Sequence, residues 1–93
     1  MEFLVEIGVS LPPAMDDRER LALLERERDR GEELVAEGAI VRIWRLPGRL
    51  ANVGIWSAED ATALHQRLSS LPVWPYSEVS VTALAEHPLE AGQ

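Results

Sequence analysis

The sequence predicts an α+β domain in which a four-stranded antiparallel sheet carries two helices on one face. Hydrophobic residues alternate near the N-terminus, and a long charged segment follows with helical spacing. A Pro-Gly turn then separates two β-branched stretches, and a second helical pattern precedes a last alternating segment. The order strand, helix, strand, strand, helix, strand is that of ferredoxin-like folds.

The composition limits the size of the domain and its partners. With 93 residues, 46% of them hydrophobic, the chain is expected to form one small domain over residues 1–93 that gains burial by oligomerising. A net charge of −7 argues against a nucleic-acid or membrane partner. The lack of cysteine, of a signal peptide and of a long apolar segment predicts a cytoplasmic protein. Two isolated histidines and scattered acids predict no metal site.

The first strand and the first helix are separated by prolines. Hydrophobic residues at positions 3, 5, 7 and 9 give the strand one apolar face, and the strand is expected to end at Leu11-Pro12-Pro13. Asp16 stands three residues before Glu19, a pattern close to a capping box that predicts the start of a helix. This helix should run to about Glu37, with Gly38 as its C-cap.

Glu27 lies on the hydrophobic face of this first helix. At about 100° per residue, it falls among five apolar or small residues. These are Leu23, Leu24, Gly31, Leu34 and Val35. One interpretation is a proton-transferring carboxylate in a pocket between helix and sheet, with a pKa raised by desolvation or lowered by an arginine. The other is a buried ion pair with a hairpin arginine, or a side chain that reaches solvent.

The two strands after the helix are predicted to form a hairpin that carries polar recognition groups. Residues 39–46 form one strand, Pro47-Gly48 the turn, and residues 49–56 the returning strand. The hairpin holds three of the nine arginines, no acid, the only asparagine and two of the three tryptophans. Because the protein is acidic and lacks lysine, an anionic ligand would depend on these arginines at close range.

Arg45 and Arg49 are the candidates for binding such an anion. They lie on opposite sides of the turn, so only one of them needs to face a pocket. Arg45 is the stronger candidate because it shares strand parity with Val41 and Ile43, which are expected to be core neighbours.

The hairpin also has large hydrophobic residues on its other face, including Trp44 and Leu46. Two helices cover only one face of a sheet, so the second face would remain exposed to water in a monomer. The sequence therefore predicts at least a dimer, with Trp44 or Trp56 in or beside an interface.

The second half of the chain completes the pattern. Ser57 is the expected N-cap of a helix over residues 58–70, in which hydrophobic residues recur at helical spacing. His65 lies at the edge of that apolar stripe and is interpreted as a packing residue. Residues 77–85 alternate as a fourth strand, and the tail from Glu86 to Gln93 shows no periodicity.

A set of residues in a fixed order resembles the muconolactone delta-isomerase family over nearly the whole chain. The matching segments are Met1 to Val5, Leu11-Pro12 with Met15-Asp16, Glu37-Gly38, Ile43-Trp44-Arg45, Gly48, Ala51-Asn52, Ala63-Leu64-His65, Leu71-Pro72 with Pro75-Tyr76, and His87-Pro88. Each segment alone is short, but the ordered set is specific.

This resemblance implies a cofactor-free isomerase of aromatic catabolism that converts muconolactone to 3-oxoadipate enol-lactone. It also implies a ferredoxin-like subunit that pairs into a dimeric α+β barrel and assembles into a decamer. For such a reaction Glu27 would be the base, Asn52 would donate to the enolate oxygen, and Arg45 or Arg49 would bind the substrate carboxylate, with Trp44 beside it.

The sequence departs from the family pattern at two positions. The resemblance implies a lysine on the first helix and a histidine after the turn glycine, where this chain has Leu24 and Arg49. Three alternatives therefore stay open. They are an enzyme acting on another lactone or unsaturated acid, a cofactor-free oxygenase or cyclase acting on a polyketide-like substrate, and a non-catalytic ligand-binding or assembly subunit.

Overall fold

The computed structural model describes residues 1–91, so the last two residues of the predicted tail lie outside the described part. The elements are β1 (Glu2–Val9), α1 (Asp17–Ala36), β2 (Ile40–Arg45), β3 (Ala51–Ser57), α2 (Ala61–Ser69), a 3₁₀ turn (Trp74–Tyr76), β4 (Ser77–Leu84) and α3 (Pro88–Ala91). The four strands form one antiparallel sheet in the order β2-β3-β1-β4. This topology confirms the predicted ferredoxin-like fold.

Both long helices pack on the same face of the sheet. Alternation in β1 sends Phe3, Val5 and Ile7 to that face, where all three are buried. The residues that contact them from the helices share one core cluster; they are Leu23 and Leu34 of α1 and Leu64 and Leu68 of α2. Neither α1 nor α2 packs on the opposite face of the sheet.

The boundaries of α1 agree with the sequence. The carboxylate of Asp16 accepts a 2.8 Å hydrogen bond from the backbone N–H of Glu19, which caps the first turn. At the other end Gly38 has a φ of 82°, the left-handed conformation that glycine adopts without a Cβ penalty. Val35 was expected on the packed face but is 55% exposed, because α1 lies over the edge of the sheet near its C-terminus.

The second helix begins later than the sequence predicted. Ser57 is still paired with Glu2 as the last residue of β3, so it does not cap a helix. Instead, the side chain of Asp60 accepts a 2.8 Å hydrogen bond from the N–H of Ala63, and α2 starts at Ala61. The tail also contains the four-residue helix α3, which its sequence pattern did not indicate.

A bulge in β2 corrects the expected strand parity. The pairing with β3 shifts between Ile40 and Arg42, so Val41 is an extra residue and is 51% exposed. Ile43 and Arg45 nevertheless share the helix-covered face, although Ile43 is 47% exposed and is not the core residue that the sequence predicted, because β2 is the edge strand of the sheet. Trp56 also lies on this face and is 1% exposed, which leaves Trp44 as the tryptophan available to an interface.

None of the helices in residues 1–91 is both long and apolar enough to cross a membrane.

Candidate active site

Three residues from neighbouring strands form a row on the helix-covered face of the sheet. In the antiparallel register, Ile7 of β1 lies opposite Asn52 of β3, and Asn52 lies opposite Arg45 of β2. Because directly opposed residues in a sheet point to the same face, this register places the amide and the guanidinium next to each other. The row therefore provides a hydrogen-bonding wall beneath α1.

Glu27 of α1 faces this wall. Its carboxylate oxygen Oε1 accepts a 3.1 Å hydrogen bond from the backbone N–H of Val73, in the connection between α2 and β4. The contact joins residues that are 46 positions apart in the sequence. A side chain held by a backbone donor has a defined orientation, so the structure fixes one oxygen of Glu27 and leaves the other available.

The environment of Glu27 changes its acidity. Burial is the larger influence and raises the pKa of the carboxyl group above its ordinary value of 4.5, while the hydrogen bond from Val73 lowers the pKa in part. The net effect is a raised pKa. A carboxylate of this kind is a stronger base than one in water, as proton abstraction from carbon requires.

A cavity of about 320 Å³ lies between α1 and the sheet and brings these groups together. Its wall is largely apolar, with four polar side chains. The lining residues are Ile7, Val9, Leu24, Glu27, Arg28, Arg45, Leu50, Ala51, Asn52 and Val73. An apolar cleft with a few convergent polar groups and a perturbed carboxylate is the usual form of a small-molecule site.

Asn52 has a buried oxygen that lacks a partner. Within residues 1–91, its Oδ1 atom is shielded from solvent and forms no hydrogen bond. Which end of an amide is oxygen is assigned from its surroundings, so either end of this group is a candidate for binding a ligand. An unpaired amide group on a cavity wall costs free energy that a bound ligand recovers.

The guanidinium of Arg45 also has no partner in the described part of the chain, where the three ion pairs involve other arginines. It lines the cavity beside Asn52, and no acid neutralises it directly. An unpaired arginine in such a position is suited to bind a carboxylate through two parallel hydrogen bonds.

The structure does not bring Arg49 or Trp44 to this cavity within one subunit. Arg49 lies on the opposite face of the sheet, where its Nη2 atom is 4.0 Å from Oε2 of Glu6. Trp44 pairs with Val53 on that same outer face, and the guanidinium of Arg42 stacks over its ring at 4.7 Å. The geometry therefore separates the predicted site residues into Glu27, Asn52 and Arg45 at the cavity, and two residues elsewhere.

Sequence reasoning missed two groups at the cavity. The N–H of Val73 is a backbone donor, and no residue type marks it in a sequence. Arg28 lines the cavity one helical turn after Leu24, so the helical spacing of these two residues was a signal for it. Leu24 itself is in the cavity wall, which makes the wall apolar where the family resemblance implies a lysine.

Comparisons with known proteins agree with the fold and the resemblance. A family model described as muconolactone delta-isomerase matches residues 1–90. The chain is 39% identical over 87 residues to muconolactone delta-isomerase 2 of Acinetobacter lwoffii, covering 94% of this chain and 91% of that protein. It is 33% identical to muconolactone delta-isomerase of Pseudomonas aeruginosa, covering 95% and 92%.

A solved structure leads to the same family. The crystal structure of a muconolactone isomerase matches with a TM-score of 0.88 and 34% sequence identity, over 95% of this chain and 92% of the other. Sequence and backbone geometry thus agree across almost the full length of both chains. The chain belongs to the muconolactone delta-isomerase family.

Proposed function

We propose that this protein is an isomerase that moves a carbon–carbon double bond in an unsaturated lactone, converting muconolactone to 3-oxoadipate enol-lactone in the catabolism of aromatic compounds. The observation that carries the proposal is the position of Glu27, a half-buried carboxylate with a raised pKa that faces Asn52 and Arg45 across an apolar cavity. Family membership supports the same reaction.

The reaction transfers one proton within the substrate. The lactone carbonyl, conjugated with the double bond, acidifies the ring C–H at the far end of the unsaturated system. Glu27 removes that proton, and the electrons of the broken C–H bond form the new double bond while negative charge moves to the carbonyl oxygen as a dienolate. Protonated Glu27 then returns the proton to the carbon next to the carbonyl, which restores the carbonyl and completes the shift.

The other polar residues stabilise negative charge on the substrate. Asn52 donates a hydrogen bond to the carbonyl oxygen. This hydrogen bond is stronger in the dienolate than in the ground state, so it lowers the barrier. Arg45 binds the substrate carboxylate and thereby orients the ring between Asn52 and Glu27. No step requires a redox cofactor, because one proton is removed and returned and all electrons stay in the substrate.

The decisive experiment is an assay of purified protein with muconolactone. Substrate loss should be accompanied by the appearance of one equivalent of enol-lactone, without added cofactor or metal. In deuterated water the product should gain deuterium at the carbon next to the carbonyl, in proportion to the exchange of the Glu27 proton with solvent. Absence of turnover with folded protein would reject the proposed function.

A homo-oligomer is part of the same proposal, beginning with a dimer and extending to a decamer. The outer face of the sheet supports it, because Leu4, Trp44 and Leu84 are each 38–43% exposed there in a single subunit. A cytoplasmic location also belongs to this proposal, as the sequence predicts.

A further inference from the structure

Arg28 lies on the side of the cavity nearest β2. It lines the cavity that contains Glu27, and it also lines the neighbouring apolar groove of about 410 Å³ that includes Ile40 and Ile43 of β2. Arg45 belongs to β2 as well. Glu27 instead accepts a hydrogen bond from the N–H of Val73, in the connection between α2 and β4. The two arginines therefore approach one side of the cavity, one from the helix and one from the sheet.

Neither of these two guanidinium groups is neutralised directly. α1 contains many acids, and its Arg30 forms a 3.2 Å ion pair with Glu33. Arg28 forms no ion pair or side-chain hydrogen bond with any residue in the range 1–91, and neither does the side chain of Arg45. Both are thus available to an anion that enters the cavity.

A count of charges in the cavity indicates why two arginines are needed. With Glu27 ionised, as a base must be, one arginine would only balance its charge and the cavity would be neutral. The protein as a whole has a net charge of −7 and repels anions. With both Arg28 and Arg45, the cavity keeps one positive charge while Glu27 is ready to act.

We propose, building on the function proposed above, that Arg28 is a second carboxylate-binding residue that joins Arg45 in holding the substrate carboxylate from two sides. Arg28 determines specificity by favouring anionic lactones over neutral ones. Its proposed role is to bind the carboxylate, while proton transfer remains with Glu27. The interaction is present equally in the ground state and the transition state, so it acts on KM rather than on kcat.

The test compares Arg28→Gln with Arg26→Gln. Arg26 is exposed on the same helix and does not line the cavity, so its variant controls for the loss of one positive charge from the protein. We expect Arg28→Gln to raise KM for muconolactone about tenfold, as for a charge-assisted hydrogen bond, with kcat within about twofold of the wild type. Arg28→Lys should recover part of the lost substrate affinity, since lysine restores the positive charge but not the two parallel donors of the guanidinium.

The methyl ester of the substrate provides a second readout. Arg28→Gln should leave the KM of this neutral ester unchanged, whereas a structural effect of the substitution would weaken both substrates. The inference is overturned if Arg28→Gln and Arg26→Gln give the same KM for the carboxylate, if kcat falls while KM stays constant, or if ester and carboxylate are weakened alike.

Calorimetry separates this inference from the proposed function. The probe is the saturated lactone carboxylate, which cannot be isomerised because it has no double bond. If the wild type binds this probe, Arg28→Gln weakens binding and Arg26→Gln does not, the inference stands even for a protein without turnover. If muconolactone is isomerised but Arg28→Gln binds the probe as tightly as the wild type, the function stands and the inference fails.

Discussion

The backbone N–H of Val73 donates a 3.1 Å hydrogen bond to Oε1 of Glu27. This contact links the middle of α1 to the connection before β4 and fixes the carboxylate over the sheet. It favours the ionised form, yet burial disfavours that form more strongly, so the pKa remains raised. The result is a base that is oriented by the fold and still holds a proton more tightly than an exposed glutamate does.

The first prediction concerns Glu27→Gln. The amide retains the size of the side chain and an oxygen that accepts from Val73, but it cannot take a proton from carbon. Turnover should therefore fall by about 10²- to 10⁴-fold, the usual contribution of a general base, with an unchanged circular dichroism spectrum. Glu25→Gln, on the exposed side of the same helix, is the control and should retain full activity. Near-normal turnover in Glu27→Gln would exclude this residue as the base.

The second prediction concerns the pH dependence of stability. Because the pKa of Glu27 is raised in the folded state, the folded protein binds this proton more tightly than the unfolded chain does. The contribution of Glu27 to the free energy of unfolding therefore decreases as pH rises from the unfolded pKa to the folded pKa, and stays reduced above it. Glu27→Gln removes this penalty, so its Tm should exceed that of the wild type at pH 7.

Thermal unfolding followed between pH 4 and 8 checks this sign. The difference in Tm should shrink as pH falls below 4.5, the ordinary pKa of glutamate, because Glu27 is then mostly protonated in both the folded and the unfolded state. Two results would contradict the explanation that burial raises the pKa of Glu27. One is a wild type that is more stable than the variant at pH 7, and the other is a difference in Tm that does not depend on pH. The combination of lower activity and higher stability is typical of residues selected for chemistry.

Periodicity predicted the parts of this structure that depend on one element at a time. The apolar stripe of α1 correctly placed Glu27 toward the sheet, since helical geometry fixes which side chains share a face. Alternation in β1 correctly identified Phe3, Val5 and Ile7 as core residues. In both cases a residue's direction follows from its spacing to neighbours on the same element.

Features that depend on two elements were less accessible. The bulge at Val41 arises from pairing between β2 and β3, and no alternation within β2 reveals it. Arg45 keeps its expected face only because it lies after the bulge together with Ile43. Likewise, the position of Arg49 beside Glu6 depends on how β3 pairs with β1, which the hairpin sequence alone does not determine.

The third prediction distinguishes Arg45 from Arg49. Arg45 lines the cavity with Asn52, whereas Arg49 is on the other face of the sheet beside Glu6. Arg45→Met should weaken the binding of an unsaturated lactone carboxylate by at least about tenfold, because the ligand loses a charge-assisted hydrogen bond. The uncharged methyl ester should be affected much less.

Arg49→Met is the matched variant, since it removes the same charge from the other side of the turn. It should change the affinity for carboxylate and ester by less than about twofold, as expected for an exposed ion pair. If Arg49→Met weakens carboxylate binding as much as Arg45→Met does, the anion site includes the outer face of the sheet. If neither variant discriminates between carboxylate and ester, the hairpin does not bind the anion.

The last prediction concerns the outer face of the sheet, where the hydrophobic side chains of Leu4, Trp44 and Leu84 are exposed in one subunit. Burial of that surface against a second copy would stabilise a chain of 10.4 kDa, which has a small core of its own. Light scattering after size exclusion at micromolar concentration should therefore give at least twice the subunit mass.

Leu4→Arg places a charge in the middle of this face and should shift the mass toward that of a monomer. Leu21→Arg, at a 64% exposed position on α1, adds the same charge and should leave the assembly intact. A monodisperse wild-type monomer would rule out the dimer, because the apolar face would then be stable in water.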